Sequence, residues 1–209
     1  FAAACLHGIP VVVAGMEEAL QHVWTPEFFI KHYGNKRVAL VDTMTDKVSD
    51  QVFTVADFFQ QFGKYDDPHR KRWKMKDWTP AASFKVQFEE WYRILLDALP
   101  PQLRDWMRGD GRLNLIAHFV KNGLLPDIGP KIYNALCCGI GEDDEHAMTN
   151  LHEDMSCAFN VMLYSEPCRD GSPGAARWDI IHPDDTDMFR AVAVDEGFCD
   201  GKLDPIHSQ

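Results

Sequence analysis

The first hundred residues alternate short β-branched runs with capped helices, and this rhythm restricts the chain to a mixed helix and strand architecture. Ile9-Pro10-Val11-Val12-Val13-Ala14-Gly15 is a β-branched run closed by glycine, which predicts a buried strand. Thr25-Pro26-Glu27 then supplies an N-cap, a proline at the first helical position and an acid in the first turn. The apolar residues that follow run to Tyr33, and Gly34 stops the helix. Val38-Ala39-Leu40-Val41 predicts a second strand, and Thr54 to Gly63 a second capped amphipathic helix ended by glycine.

Further along, Lys64 to Lys76 is polar and basic and reads as a solvated loop leading to Lys76-Asp77-Trp78, because its cations lie beside Asp66 and Asp67. Phe84, Phe88, Trp91, Leu95 and Leu99 fall at helical spacing, and Pro100-Pro101 should end that helix. Leu113-Asn114-Leu115-Ile116 predicts a strand after the turn Gly109-Asp110-Gly111. A rigid loop over Pro126-Asp127-Ile128-Gly129-Pro130 leads into a strand over Lys131 to Leu136. Ala176 to Ile181 predicts another strand, and Pro183-Asp184-Asp185 caps a helix from about Thr186 to Glu196. Early helices followed by short strands favour an α+β domain built around a barrel or jelly roll.

With 209 residues the chain can bury a substantial core. A net charge of −11 argues against a broad phosphate-binding surface and favours cationic partners such as a Lys/Arg-rich peptide. The six cysteines, at positions 5, 137, 138, 157, 168 and 199, form no Cys-x-x-Cys pair, so neither a zinc ribbon nor an obvious disulfide framework is present. No apolar stretch is long enough to span a membrane, and a reducing compartment is the default expectation.

Chemistry concentrates at His152-Glu153-Asp154, which sits after a long loop rich in Gly and acids, Gly139 to His146, and before the alternating apolar run Ala158 to Tyr164. On an extended strand residues two apart point the same way, so His152 and Asp154 can grip one metal ion. Two such ligands with a more distant histidine make the facial triad of non-haem Fe(II) oxygenases. By itself His-x-Asp is a common triplet. Its place at the start of a short apolar strand, as on a barrel rim, is what gives it weight.

The ordered series Leu113-Asn114-Leu115, Pro126 to Ala135, Thr149-Asn150-Leu151-His152-Glu153-Asp154-Met155-Ser156 and Asn160 to Tyr164 resembles the JmjC lysine demethylases. The resemblance extends to Ile9–Gly15, Lys76-Asp77-Trp78, Trp178-Asp179-Ile180 and the closing Asp204-Pro205-Ile206-His207-Ser208-Gln209, nearly the whole chain in order. It is nearest to the subgroup acting on mono- and dimethylated lysine nine of histone H3. The resemblance implies a double-stranded β-helix, a cupin-like jelly roll. Residues 1–110 would form its N-terminal mixed α/β part and 111–209 the first part of its core, in a single partial domain. It implies Fe(II) held by His152 and Asp154 with 2-oxoglutarate beside them as co-substrate, Thr149 and Asn160 on the co-substrate, and Tyr133 near the methylammonium of the substrate. It further implies a nuclear chromatin regulator whose partner is the methylated histone H3 tail, with neither sequence-specific nucleic-acid binding nor membrane insertion from this region. Loss of catalysis, leaving a chromatin-binding module, and protein hydroxylation are the alternative activities.

Two departures stand out. Ala176 occupies the place where many JmjC enzymes carry a lysine for the distal carboxylate of 2-oxoglutarate, and Arg177 would face the other side of a strand. The third ligand of the family, a late-strand histidine, has no match. His182 lies at a helix entry and His207 falls in the match to a loop, so the chain reads as a fragment lacking the closing strands and inactive by itself.

Overall fold

The computed structural model describes residues 1–16, 18–20, 24–43, 45–67, 72–78, 84–120, 123, 129–136, 149–154, 157–202 and 204–208. Helices and mostly antiparallel strands make up a mixed α+β chain. It divides into two interleaved units, residues 16–148 with 161–174, and residues 1–15 with 149–160 and 175–209. No helix among the described residues is long and apolar enough to cross a membrane.

The larger unit is built on two helices whose ends are written locally. In α1, Pro26–Tyr33, the Thr25 hydroxyl accepts the Phe28 N–H at 3.3 Å and Pro26 opens the first turn. In α2, Val55–Phe59, Thr54 and Asp57 form a reciprocal capping box, and turns carry the chain on to Gly63. The two helices meet through Phe29 and Phe59, whose rings stack at 4.7 Å with an interplanar angle of 4°. Trp24, Phe58, Met75, Trp78, Phe84, Phe88 and Leu136 complete a buried aromatic core. Burying each large side chain is worth roughly 1.5–3 kcal/mol.

Val38 to Val41 does not form one strand. The run changes partner midway: β1, Arg37–Val38, pairs antiparallel with β3, Phe53–Thr54, while β2, Val41–Asp42, joins β4, Trp73–Trp78. β4 is the centre of a three-stranded antiparallel sheet with β5, Ile132–Ala135, on its other edge. The expected strand at 131–136 is thus present, whereas the solvated loop expected up to Lys76 gives way to a strand from Trp73. Met75 and Trp78 are buried there, and Lys74 is buried too because its ammonium reaches Asp46 at 2.7 Å.

The helix expected over Phe84–Leu99 is broken in two, α3 at Phe84–Gln87 and α4 at Glu89–Ala98, by the non-helical backbone of Phe88 (φ −135°, ψ 49°). Phe84 and Phe88 are thereby both buried. α4 stops at Ala98, ahead of Pro100-Pro101 as expected, and Pro101 then opens α5, Pro101–Met107, where its missing N–H costs no helical bond. Leu113–Ile116 is no strand either. The Asn114 side chain accepts the Ile116 N–H at 3.1 Å and starts a 3₁₀ helix over Leu115–His118.

In the smaller unit, Ala2–Leu6 is a short helix, α6, and Thr186–Asp195 a longer one, α7, entered through a 3₁₀ turn at Pro183–Asp185 as expected. Arg190 of α7 binds Asp204 at 3.0 Å, and Ala193 and Ile206 are buried. Ile9–Gly15 is neither buried nor a strand among the described residues. Val12 is 93% exposed, and without a partner strand among the described residues the run has no neighbour against which to bury its side chains; its Ile9 N–H donates instead to the Ala4 carbonyl at 2.9 Å. Ala176–Ile181 is likewise without a described partner strand, with Trp178 and Ile180 exposed. The predicted loop residues 126–128 and 139–146 lie outside the described residues.

Candidate metal site

The two-residue strand β6, His152–Glu153, carries the first candidate ligand and pairs in parallel with β7 at His207–Ser208; the second, Asp154, follows directly after the strand. The alternation of the strand exposes Glu153 and leaves His152 partly buried. The His152 Nε2 lies 3.6 Å from Asp154 Oδ1, so the imidazole and carboxylate converge on one side as the spacing predicts. Two ligand atoms each about 2.1 Å from one ion can be at most about 4.2 Å apart. The separation therefore admits a shared metal.

The other ring nitrogen is held by the backbone. His152 Nδ1 lies 2.8 Å from the Asn150 carbonyl oxygen. A carbonyl can only accept, so Nδ1 carries the hydrogen, and in the neutral ring Nε2 presents its lone pair toward the Asp154 side. Backbone anchoring of the distal nitrogen is how protein metal sites fix the tautomer and aim of a ligating histidine. The sequence offers no signal for Asn150, because its contribution is a backbone carbonyl, which side-chain periodicity does not place.

The remaining candidates are placed as follows. Thr149 and Asn160 belong to the same unit as the pair and are exposed. Asn160 does not continue the ligand strand: β6 stops at Glu153, and residues 157–164 form no strand, because the chain leaves the smaller unit at 160 and joins the core of the larger one through Leu163. Tyr133 lies on β5 in the larger unit and is 62% exposed.

Among the other histidines, His182 has both nitrogens engaged, Nε2 with the His7 carbonyl at 3.1 Å and Nδ1 accepting the Asp184 N–H at 3.2 Å. His207 is on a strand rather than in the expected loop, because its backbone pairs in register with that of His152. Arg177 is held by Asp179 at 3.2 Å. Among the described residues no third His, Cys, Asp or Glu is grouped with the pair.

No family model matches the chain. It is similar to human lysine-specific demethylase 3A, with 36% identity over 165 residues that cover 75% of this chain and 12% of that protein. Lysine-specific demethylase 3 of Drosophila melanogaster is 26% identical over 245 residues, covering 97% of this chain and 28% of the relative. The probable JmjC domain-containing histone demethylation protein 2C of Homo sapiens is 26% identical over 164 residues, 75% of this chain and 6% of that protein. The chain thus spans about an eighth of the length of the demethylase 3A relative it matches.

Proposed function

The chain belongs to the JmjC family of lysine demethylases, and on that premise we propose that it is part of an Fe(II)- and 2-oxoglutarate-dependent oxygenase removing methyl groups from histone H3 lysine. The substrate site proposed is mono- or dimethylated lysine nine, and the setting is chromatin in the nucleus. In this reading residues 1–209 form one partial JmjC domain whose core is a jelly roll.

The observation that carries the reading is the imidazole and carboxylate aimed at one point, with Nδ1 tied to Asn150. His152 and Asp154 would hold Fe(II), one neutral and one anionic donor of the kind this ion takes. Once bound, the ion would supply, with 2-oxoglutarate and dioxygen, the oxidising power for hydroxylating an N-methyl group, and the resulting hemiaminal would release formaldehyde. This chain's residues would contribute position: β6 holds His152, Asp154 follows one residue beyond the strand, and the Asn150 carbonyl holds the ring. Thr149 and Asn160 are proposed to donate hydrogen bonds to 2-oxoglutarate. Tyr133 is proposed to offer its ring to the methylammonium, which the ring quadrupole attracts.

The test reads metal and turnover separately. Binding of Mn(II) to the chain, followed by the paramagnetic resonance of the free ion, should weaken at least roughly tenfold in His152→Ala and in Asp154→Ala. His182→Ala and His207→Ala should leave it unchanged. In the whole protein that contains this chain, Asp154→Ala should abolish formaldehyde release from H3 peptides methylated at lysine nine, while the circular dichroism stays that of the parent. Unchanged Mn(II) affinity in both ligand variants, or near-parental demethylation by Asp154→Ala, would refute the assignment.

A further inference from the structure

The larger unit contains a second chemical environment that the metal pair does not use. An open cleft of about 430 Å³ lies between α1, the turn after α2 and the segment 164–168, all within that unit. Its volume is in the range of clefts that hold small ligands. Phe62 and Tyr164 form two of its walls, with ring centroids 6.1 Å apart and planes inclined at 53°. Phe59 and Tyr65 are two further aromatics on the lining. Glu27 and Glu166 supply two carboxylates, and no Lys or Arg is among the lining residues.

The walls are built in rather than draped over the surface. Glu166 is 8% exposed and accepts the backbone N–H of Gly63, while the Tyr65 hydroxyl donates to the Pro167 carbonyl. A tight turn behind them, closed by Cys168 N–H to the Ser172 carbonyl at 2.8 Å, folds the strand of chain back on itself. The Tyr164 phenol is held above its ordinary range, first by burial and then by the negative fields of Glu27 and Glu166. Both carboxylates therefore bear on the same ring, and a positive charge placed there would be attracted by both.

We propose that this cleft is a binding site for an alkylammonium side chain, methylated lysine above all, presented by a basic peptide and separate from the metal pair. A cation within about 6 Å of an aromatic centroid is attracted by the ring quadrupole. Two inclined rings with centroids 6.1 Å apart allow one group to satisfy that limit for both at once. Methylation favours such a site, because a methylated ammonium sheds water more easily and offers apolar surface to the rings. The two carboxylates select cation over neutral isostere. The overall charge of −11 draws a basic peptide toward the molecule.

The experiment uses the chain labelled with ¹³C on the phenylalanine and tyrosine rings. The probes are Nα-acetyl-trimethyllysine amide and its uncharged isostere, in which carbon replaces the quaternary nitrogen. The expected result is a saturable shift of the Phe62 and Tyr164 ring resonances with the cation and none with the isostere. Tyr164→Leu and Glu166→Gln should weaken binding at least roughly tenfold. Glu27→Gln, an exposed change in the first turn of α1 that leaves the packing intact, should weaken it measurably as well. Asp154→Ala should bind the probe as the parent does, which separates this site from the metal reading. A linear, unsaturable shift, an equal response to the isostere, or parental affinity in Glu27→Gln and Glu166→Gln together would overturn the proposal.

Discussion

Lys74 in the middle strand of the three-stranded sheet tests how a strongly polar segment is held in the core. Its ammonium lies 2.7 Å from Asp46, with side chains 10% and 45% exposed. Breaking a fully buried pair by removing one partner costs about 3–5 kcal/mol because the other charge is stranded, whereas an exposed pair is worth about 0–1 kcal/mol. One buried and one half-exposed partner place Asp46→Asn between these limits, at about 1–3 kcal/mol. Asparagine is the informative replacement, since residue 46 sits at φ 54° and Asn tolerates that conformation. Lys74→Met should cost less than about 1 kcal/mol, because it removes the buried charge, keeps the stem's volume and leaves Asp46 in contact with water. The double variant should return close to Lys74→Met. Urea unfolding followed by tryptophan fluorescence reads the right part of the molecule, as Trp24, Trp73, Trp78, Trp91 and Trp106 all lie in the larger unit. Midpoints should move at constant slope. If Lys74→Met proved more damaging than Asp46→Asn, the charge would not be what the pair manages, and the reasoning would fail.

Two further outcomes follow from local geometry. Thr54→Ala removes the hydroxyl that accepts the Asp57 N–H at the start of α2 and keeps the Thr54 N–H that donates to Asp57, and it should cost about 0.5–2 kcal/mol in the same unfolding assay, with Thr54→Ser close to the parent. In alkaline titration by tyrosinate absorbance, Tyr33 and Tyr164 should ionise above the ordinary phenol range, both mainly because of burial. A raised phenol favours the folded chain while it stays protonated, and that contribution is lost as pH climbs through the folded-state pKa. Glu166→Gln should lower the Tyr164 midpoint, because a like charge is removed, and leave Tyr33 where it was. A Tyr164 midpoint that did not move would dissociate Glu166 from the ring.

What could be read from the residues was what they settle within a few positions. Thr25 caps Phe28, and Thr54 exchanges hydrogen bonds with Asp57, so the starts of α1 and α2 were legible in spans of four residues. The period of two brought His152 beside Asp154, whereas the Asn150 backbone carbonyl that holds the ring lies outside any side-chain period. Strands were legible only where a distant partner existed. Lys131–Leu136 and Ile9–Gly15 look alike as apolar runs, yet only the first meets a neighbour, β4, whose Met75 and Trp78 register against Asn134 and Ile132. β4 itself was hidden because Lys74 reads as solvated until Asp46, remote in sequence, is seen to neutralise it. Leu113–Ile116 failed for the opposite reason. There a side chain two residues away captured the Ile116 N–H before any strand could. The pairing of β6 with β7 belongs to the first kind: nothing in Thr149–Asp154 announces a parallel partner at His207–Ser208. Spacing could therefore bring the imidazole and carboxylate together, but the strand beside His152 depended on a contact that no local pattern encodes.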